Sequence, residues 1–262
     1  LWFICVYLLL DPVITKLPFL NSAWPVTTLL LAYLVIVLKY GKVFMKDRQP
    51  FDIKNIIIRY NIFQVIYNFL IFCTTFYILF INGAYNLRCM PTLPVDHPTK
   101  TFERAITYIY FVNKIVDLLD TIFFVLRKSY KQITVLHVYH HILMVFVPYW
   151  VIRFYGAGGQ FATMGLLNSF VHTVMYLYYL ISVKYPELKG SLWWKKYITI
   201  IQLLQFLTLM LQSVYVLLFQ PNCEFPKILQ CMIVILAIVF VVMFSNFYIK
   251  TYIMHRPQQK QN

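Results

Sequence analysis

The chain has 262 residues, 61% hydrophobic and only 12% charged, with a mean hydropathy of +0.68. A soluble domain is about 45–50% apolar and about 25% charged, so the composition excludes an ordinary soluble protein and places the chain in lipid. The formal charge of +14 does not make it a nucleic-acid binder, because its basic residues follow a membrane pattern set out below.

A hydrocarbon core roughly 30 Å thick is crossed by a helix of about 20 apolar residues. In chain order, Leu1 to Leu10 is apolar but is cut off by Asp11 and Pro12, so residues 1–22 read as an interfacial or truncated N-terminal segment. Spans follow at Ala23 to Leu38, Asn61 to Ile81, Ala105 to Leu126, Ile133 to Val151, Gln160 to Val183, Tyr197 to Phe219 and Ile228 to Tyr248, with a tail over 250–262. The expectation is an all-α, seven-span bundle forming one domain over 1–262. The connection from Arg127 to Gln132 is short, which makes the third and fourth spans antiparallel neighbours.

The loops after the first, third and fifth spans, with the tail, hold 16 of the 23 Lys and Arg residues, among them Lys39, Lys54, Arg127, Lys184, Lys195 and Lys250. The positive-inside rule puts that set in the cytosol, the C-terminus with it, and the N-terminus in the lumen. Cys89 and Cys223 then share the lumenal, oxidising side, and the expectation is that they form a disulfide. Cys5, Cys73 and Cys231 lie in apolar runs, where cysteine behaves as a small hydrophobe.

Ionisable groups at the centre of a membrane helix cost about 2.5–3.5 kcal/mol on insertion scales. The third span nevertheless carries Lys114, Asp117 and Asp120, with Thr121 after them. A Lys114–Asp117 ion pair fixing helix packing explains only two of these three charges, so a functional role is the favoured reading, with Asp120 left to orient a histidine or to reach the interface. The fourth span opens with His137, His140 and His141, which share one helical face. The fifth carries a polar stripe of Asn168, His172, Tyr176 and Tyr179. The sixth opens with Thr199, Gln202 and Gln205, where interhelical hydrogen bonding competes evenly with a ligand-lining role. With the spans alternating in direction, these clusters converge on a polar chamber open to the cytosol.

Grouped imidazoles either ligate a metal or act without one as bases and nucleophiles. Of six histidines, His97 falls in a loop and His255 in the tail. The remaining four suffice for one zinc but not for a di-iron site built from several histidine boxes, which favours metal-free chemistry with no cofactor. A transporter or lipid-binding protein using a His/Asp proton relay, and a metal-dependent membrane oxidase or hydrolase, stay open at this point.

Lys114-x-x-Asp117-x-x-Asp120-Thr121, His137-Val-Tyr-His140-His141, Asn168-x-x-x-His172-x-x-Met175-Tyr176-x-Tyr178-Tyr179 and Thr199-x-x-Gln202-x-x-Gln205-Phe206 resemble, in order, the four signature blocks of the very-long-chain fatty acid elongases. The resemblance runs from Pro50 to the last span. Asp117 stands where that family usually has Glu, and the tail lacks the dilysine signal many members carry. The resemblance implies a multi-pass enzyme of the endoplasmic reticulum membrane, a 3-oxoacyl-CoA synthase that condenses a long-chain acyl-CoA with malonyl-CoA and releases CO2 and CoA. A homodimer, or a hetero-oligomer with other enzymes of the elongation cycle, is compatible with it.

On that basis His140, or else His172, takes the acyl group as an acyl-imidazole, and His137, His141 or Asn168 holds the malonyl-derived enolate. Asp117 and Asp120 orient imidazoles, Gln202 and Tyr176 position the thioester, and Lys114, Thr121, Tyr179, Thr199 and Gln205 read as further substrate contacts.

Overall fold

Backbone N–H and C=O groups in lipid have no water to pair with, so an apolar segment there satisfies its hydrogen bonds internally by folding as a helix. The computed structural model describes residues 11–187 and 192–254; the opening apolar run 1–10 and the tail from His255 onward lie outside them. Eight helices are present among the described residues: α1 (Ala23–Phe44), α2 (Lys54–Ile81), α3 (Lys100–Val116), α4 (Leu119–Leu126), α5 (Val135–Phe154), α6 (Phe161–Lys184), α7 (Leu192–Phe219) and α8 (Lys227–Ile253). Among those residues there is no β-strand beyond an isolated bridge between Asn86 and Cys89.

Six helices are long and apolar enough to cross a membrane: α1, α2, α5, α6, α7 and α8. The seventh expected span, Ala105 to Leu126, is not one continuous helix. It is α3 and α4, joined by a tight turn at Asp117 and Leu118, where the Leu118 and Asp120 amides donate to the Ile115 and Asp117 carbonyls three residues back. The Val116 carbonyl accepts from the Tyr60 hydroxyl of α2 at 3.4 Å. The break therefore finds a hydrogen-bond partner on a neighbouring helix, as a membrane interior requires.

Local chemistry sets the helix starts. Ser22 caps α1 through the Trp24 amide at 3.2 Å, and Thr134 caps α5 through the His137 amide at 3.2 Å. The second cap fixes the histidine box in the first two turns of α5, on the side where the polar residues of α3, α4 and α6 gather.

Helices α2 and α6 lie antiparallel along their lengths, with Tyr60 opposite Tyr176 and Phe72 against Phe170, ring centres 5.9 and 5.5 Å apart. Parallel to α6, α3 and the turn that ends it pair Tyr110, Lys114 and Asp117 with Asn168, His172 and Tyr176 in turn. Helix α1 crosses the other side, setting Tyr33 on Thr121 and Gly41 on Val125. Helices α7 and α8 form a hairpin that packs on α6 and meets α5 through Phe240 and Phe244. A disulfide joins Cys89 in the α2–α3 loop to Cys223 in the α7–α8 loop, so both loops close the same end of the bundle. The opposite, basic end carries the α1–α2, α4–α5 and α6–α7 connections.

Candidate active site

Polar residues of six helices, α1 to α6, meet in the interior. The Lys114 ammonium donates to Asp117 Oδ2 at 2.9 Å and to Asn168 Oδ1 at 2.8 Å, and lies 3.4 Å from His172 Nδ1. His172 Nδ1 is also 3.4 Å from Asp117 Oδ2. The other carboxylate oxygen, Oδ1, accepts from Gln64 Nε2 at 2.7 Å and lies 3.0 Å from the Tyr176 hydroxyl. Lys114 and Asp117 are 1% and 2% exposed, so each charge depends on these contacts and hardly at all on water. A buried ion pair repays its desolvation only when its remaining donors and acceptors are satisfied, and here Asn168, Gln64 and Tyr176 supply the extra partners.

The Lys114–Asp117 pair does not leave Asp120 isolated, because Tyr176 OH lies 2.6 Å from Asp120 Oδ2 and bridges the two carboxyl groups. Thr121 takes a different role: its hydroxyl lies 2.8 Å from both Tyr33 OH and His137 Nε2, tying α1 and α4 to α5. The His137 and His141 ring centres are 4.3 Å apart, and those of His140 and His141 5.6 Å. His141 is buried and within electrostatic reach of His172 and Lys114, which links the α5 box to the α3–α6 network. His140 turns its ring toward Phe240 and Phe244 of α8. Among the described residues no three His, Cys, Asp or Glu side chains form a group able to hold a metal.

The α7 residues stand apart. Among the described residues Gln202 Nε2 reaches only Met175 Sδ at 3.9 Å, Thr199 returns its hydroxyl to the Lys195 carbonyl of its own helix, and Gln205 is buried. Tyr179 is partly exposed and packs edge-on against Tyr176. Conversely, α2 contributes residues that the motif reading passed over: Tyr60, Gln64 and Asn68, with Asn68 accepting from Asn113 at 3.0 Å. Their spacing of four residues marks one face of a helix, and that polar stripe through an apolar span was the signal available.

Two pockets flank the network. A cavity of about 510 Å³ opens at the basic end; Lys54, Arg127 and Lys195 line it, and Tyr60, Asp120 and Tyr179 form its inner wall. A narrow apolar pocket lies toward the disulfide end, bounded by Ile71, Tyr110, Pro148, Val151 and Gly165, with Tyr85 and Glu103 at its floor. Beside that floor the Lys100 ammonium donates to Glu103 Oε2 at 2.6 Å, and Arg104 Nε donates to Asp11 Oδ2 at 2.6 Å. Burial opposes ionisation of Asp11, but Arg104 outweighs it and holds the carboxyl below the ordinary carboxylate range. Burial pushes the Tyr155 phenol, in the α5–α6 loop, up to about 12.

An all-helical bundle with apolar outer faces that buries Lys114, Asp117, His141 and His172, with Asp120, His137 and His140 partly buried beside them, defines a multi-pass membrane protein with an internal polar site. The chain belongs to the ELO: GNS1/SUR4 family, which it matches over residues 18–261. It is 45% identical over 251 residues to very long chain fatty acid elongase F of Drosophila melanogaster, covering 96% of each chain. It is 38% identical over 245 residues to very long chain fatty acid elongase 4 of Homo sapiens, covering 92% of this chain and 76% of that one, and 35% identical over 250 residues to very long chain fatty acid elongase 7 of Drosophila melanogaster.

Proposed function

We propose that this chain catalyses the condensing step of fatty acid elongation, in which a long-chain acyl-CoA and malonyl-CoA give a 3-oxoacyl-CoA two carbons longer, with CO2 and CoA. The observation that carries the proposal is the contact of Lys114, Asp117 and His172 beside the α5 histidines, inside a bundle of the ELO family. A nucleophile within reach of an orienting carboxylate is the arrangement that covalent catalysis uses.

In this reading the basic cavity takes the CoA phosphates, and the acyl tail threads past Tyr110 into the apolar pocket, so the thioester comes to rest at the network between them. α3 and α4 together make the seventh crossing. The N-terminal end is lumenal and the C-terminal end cytosolic in the endoplasmic reticulum membrane.

In the first half-reaction an imidazole nitrogen attacks the thioester and forms an acyl-imidazole as CoA leaves. His172 has its Nδ1 against Asp117 and Lys114, which leaves Nε2 as its reactive nitrogen. His140, the other acceptor, sits over Phe240 and Phe244. In the second half-reaction malonyl-CoA loses CO2 and its enolate attacks the acyl carbon, with His137, His141 and Asn168 available to hold the developing oxyanion. Chemistry in a site closed to water protects the acyl-imidazole from hydrolysis.

The test is CO2 release from labelled malonyl-CoA with an acyl-CoA panel, comparing wild type with His140→Ala and His172→Ala. Loss of about 100-fold or more in either variant supports the reading, and a wild type inert across the panel removes it. Mass spectrometry after acyl-CoA alone separates the covalent route from direct condensation, which leaves no acyl-histidine adduct.

A further inference from the structure

Condensation consumes a proton. When the malonyl carboxylate leaves as CO2, its electron pair passes to the enolate, then into the new carbon–carbon bond. The pair displaced from the acyl carbonyl carbon ends on the leaving imidazole nitrogen. The CoA thiolate of the first half-reaction takes the proton that the attacking imidazole gives up, so the imidazolate left by the second is neutralised from solution, once per turnover. That nitrogen lies among buried groups, and none of the four histidines lines either pocket. A route for the proton is therefore a chemical necessity of the proposed condensation, and the inference rests on that reading.

We infer that Asp120, Tyr176 and Asp117 form this route, carrying a proton from the basic cavity to His172. Asp120 lines the cavity and its Oδ2 is 2.6 Å from Tyr176 OH. Tyr176 OH is in turn 3.0 Å from Asp117 Oδ1, and Asp117 Oδ2 is 3.4 Å from His172 Nδ1. The four groups span α4, α6 and the α3–α4 turn without a gap wider than that last contact.

Proton counting supports the assignment. A tyrosine hydroxyl has one proton and donates to one acceptor, yet Tyr176 lies within hydrogen-bond distance of two carboxyl groups. One of the two contacts needs a second proton, carried by a carboxyl. Asp117 already meets Lys114 and Gln64, whereas among the described residues no cation stands within 4.0 Å of Asp120. The second proton therefore belongs in the 2.6 Å contact at the cavity wall, where water can replace it.

The transfer is balanced. The Asp120 proton passes to the Tyr176 oxygen as the Tyr176 proton passes to Asp117. Rotation of the protonated Asp117 carboxyl about its Cβ–Cγ bond carries that proton from the Tyr176 side to the His172 side, where it passes to Nδ1 and leaves a carboxylate, and Asp120 takes a new proton from the cavity. Tyr60, whose hydroxyl is 3.4 Å from that of Tyr176 and which also lines the cavity, positions the relay from α2. Tyr176 thus moves a proton here, a different task from positioning the thioester.

The experiment separates the two half-reactions on full-length protein in lipid nanodiscs. Acyl-CoA alone gives a burst of CoA, and a chase with malonyl-CoA gives CO2. For Tyr176→Phe, and for the nearly isosteric Asp120→Asn, the burst stays within about twofold of wild type while the chase slows by about 100-fold, the range general acid–base groups supply. The slowed chase also shows a larger solvent deuterium isotope effect than wild type. A chase within about twofold of wild type in either variant overturns the relay, and so does loss of the burst in Asp120→Asn, which would put that carboxyl in acyl loading. A wild type that gives no CO2 at all overturns the condensation reading instead.

Discussion

At the scale of single residues, Lys114 is the hinge of the site, because one ammonium serves a carboxylate, an amide and an imidazole. Removing one partner of a buried ion pair leaves the other charge uncompensated, at about 3–5 kcal/mol, whereas replacing both with apolar groups is often neutral. Lys114→Met is therefore expected to lose that much stability together with CO2 release. Lys114→Met/Asp117→Leu regains the stability while remaining inactive. Unfolding in detergent and the CO2 assay read the two effects separately, and a double variant no more stable than the single one would refute the pairing argument. Much of this was legible in the sequence: Lys114 and Asp117 stand three residues apart, and His137, His140 and His141 share a face whatever the fold does. The contribution of α2 was not, because Gln64 lies 53 residues from Asp117 and periodicity within one segment carries no information about which distant helix it faces. The α7 glutamines show the converse limit. Their block matches the family in order, yet their side chains do not hydrogen-bond to the network among the described residues, so motif membership and contact with the buried charges are separate properties.

At the scale of elements, the break between α3 and α4 aims the site. Read from apolar content alone, Ala105 to Leu126 is one span. The turn at Asp117 and Leu118 rests on amide-to-carbonyl bonds three residues back and on a Tyr60 hydroxyl from another helix, neither of which hydropathy registers. Helix α4 is then held against α1 by close approach at Gly41. A Cβ there would sit 2.6 Å from Val125 Cγ1 and 2.7 Å from the Ile36 carbonyl oxygen. Overpacking of this kind costs typically about 1–3 kcal/mol. Gly41→Leu should lower the melting temperature and reduce turnover together, since α4 carries Asp120 and Thr121, and adding Val125→Ala should restore part of both. An unchanged melting temperature in Gly41→Leu would show that α1 does not bear on α4 as the structure places it. The segment before α1 is fastened to α3 by Asp11 and Arg104. Because the folded Asp11 carboxyl titrates below its ordinary 3.8, its contribution to stability is present above that value and is lost as pH falls through the lower, folded-state value. Asp11→Asn should melt below wild type at pH 7, with the difference shrinking toward pH 3; a difference independent of pH would assign the contact to packing.

At the scale of the molecule, the bundle is fixed at one end and lacks a covalent tie among the described residues at the other. Charge asymmetry between alternate loops was enough to put Cys89 and Cys223 on the same side. Their approach, with Cα atoms 5.6 Å apart across a sequence separation of 134 residues, depends on the α7–α8 hairpin folding back over the α2–α3 loop. That hairpin packs on the rest chiefly through α6 and through Phe240 and Phe244 against His140. Phe240 and Phe244 thus cover His140 from that hairpin, and the disulfide holds the hairpin's far end in register. Losing a native disulfide that closes so long a loop removes about 2–4 kcal/mol, and about 1 kcal/mol corresponds to roughly 2–4 °C of melting temperature in chains of this size. Cys89→Ser/Cys223→Ser is accordingly expected to melt several degrees lower and to hydrolyse a larger share of its acyl intermediate, because a hairpin loose at both ends admits water to the histidines. Malonyl-CoA partitioning after an acyl-CoA burst measures that share. A variant that melts lower but partitions as wild type would leave the disulfide a stabiliser with no part in keeping the site dry.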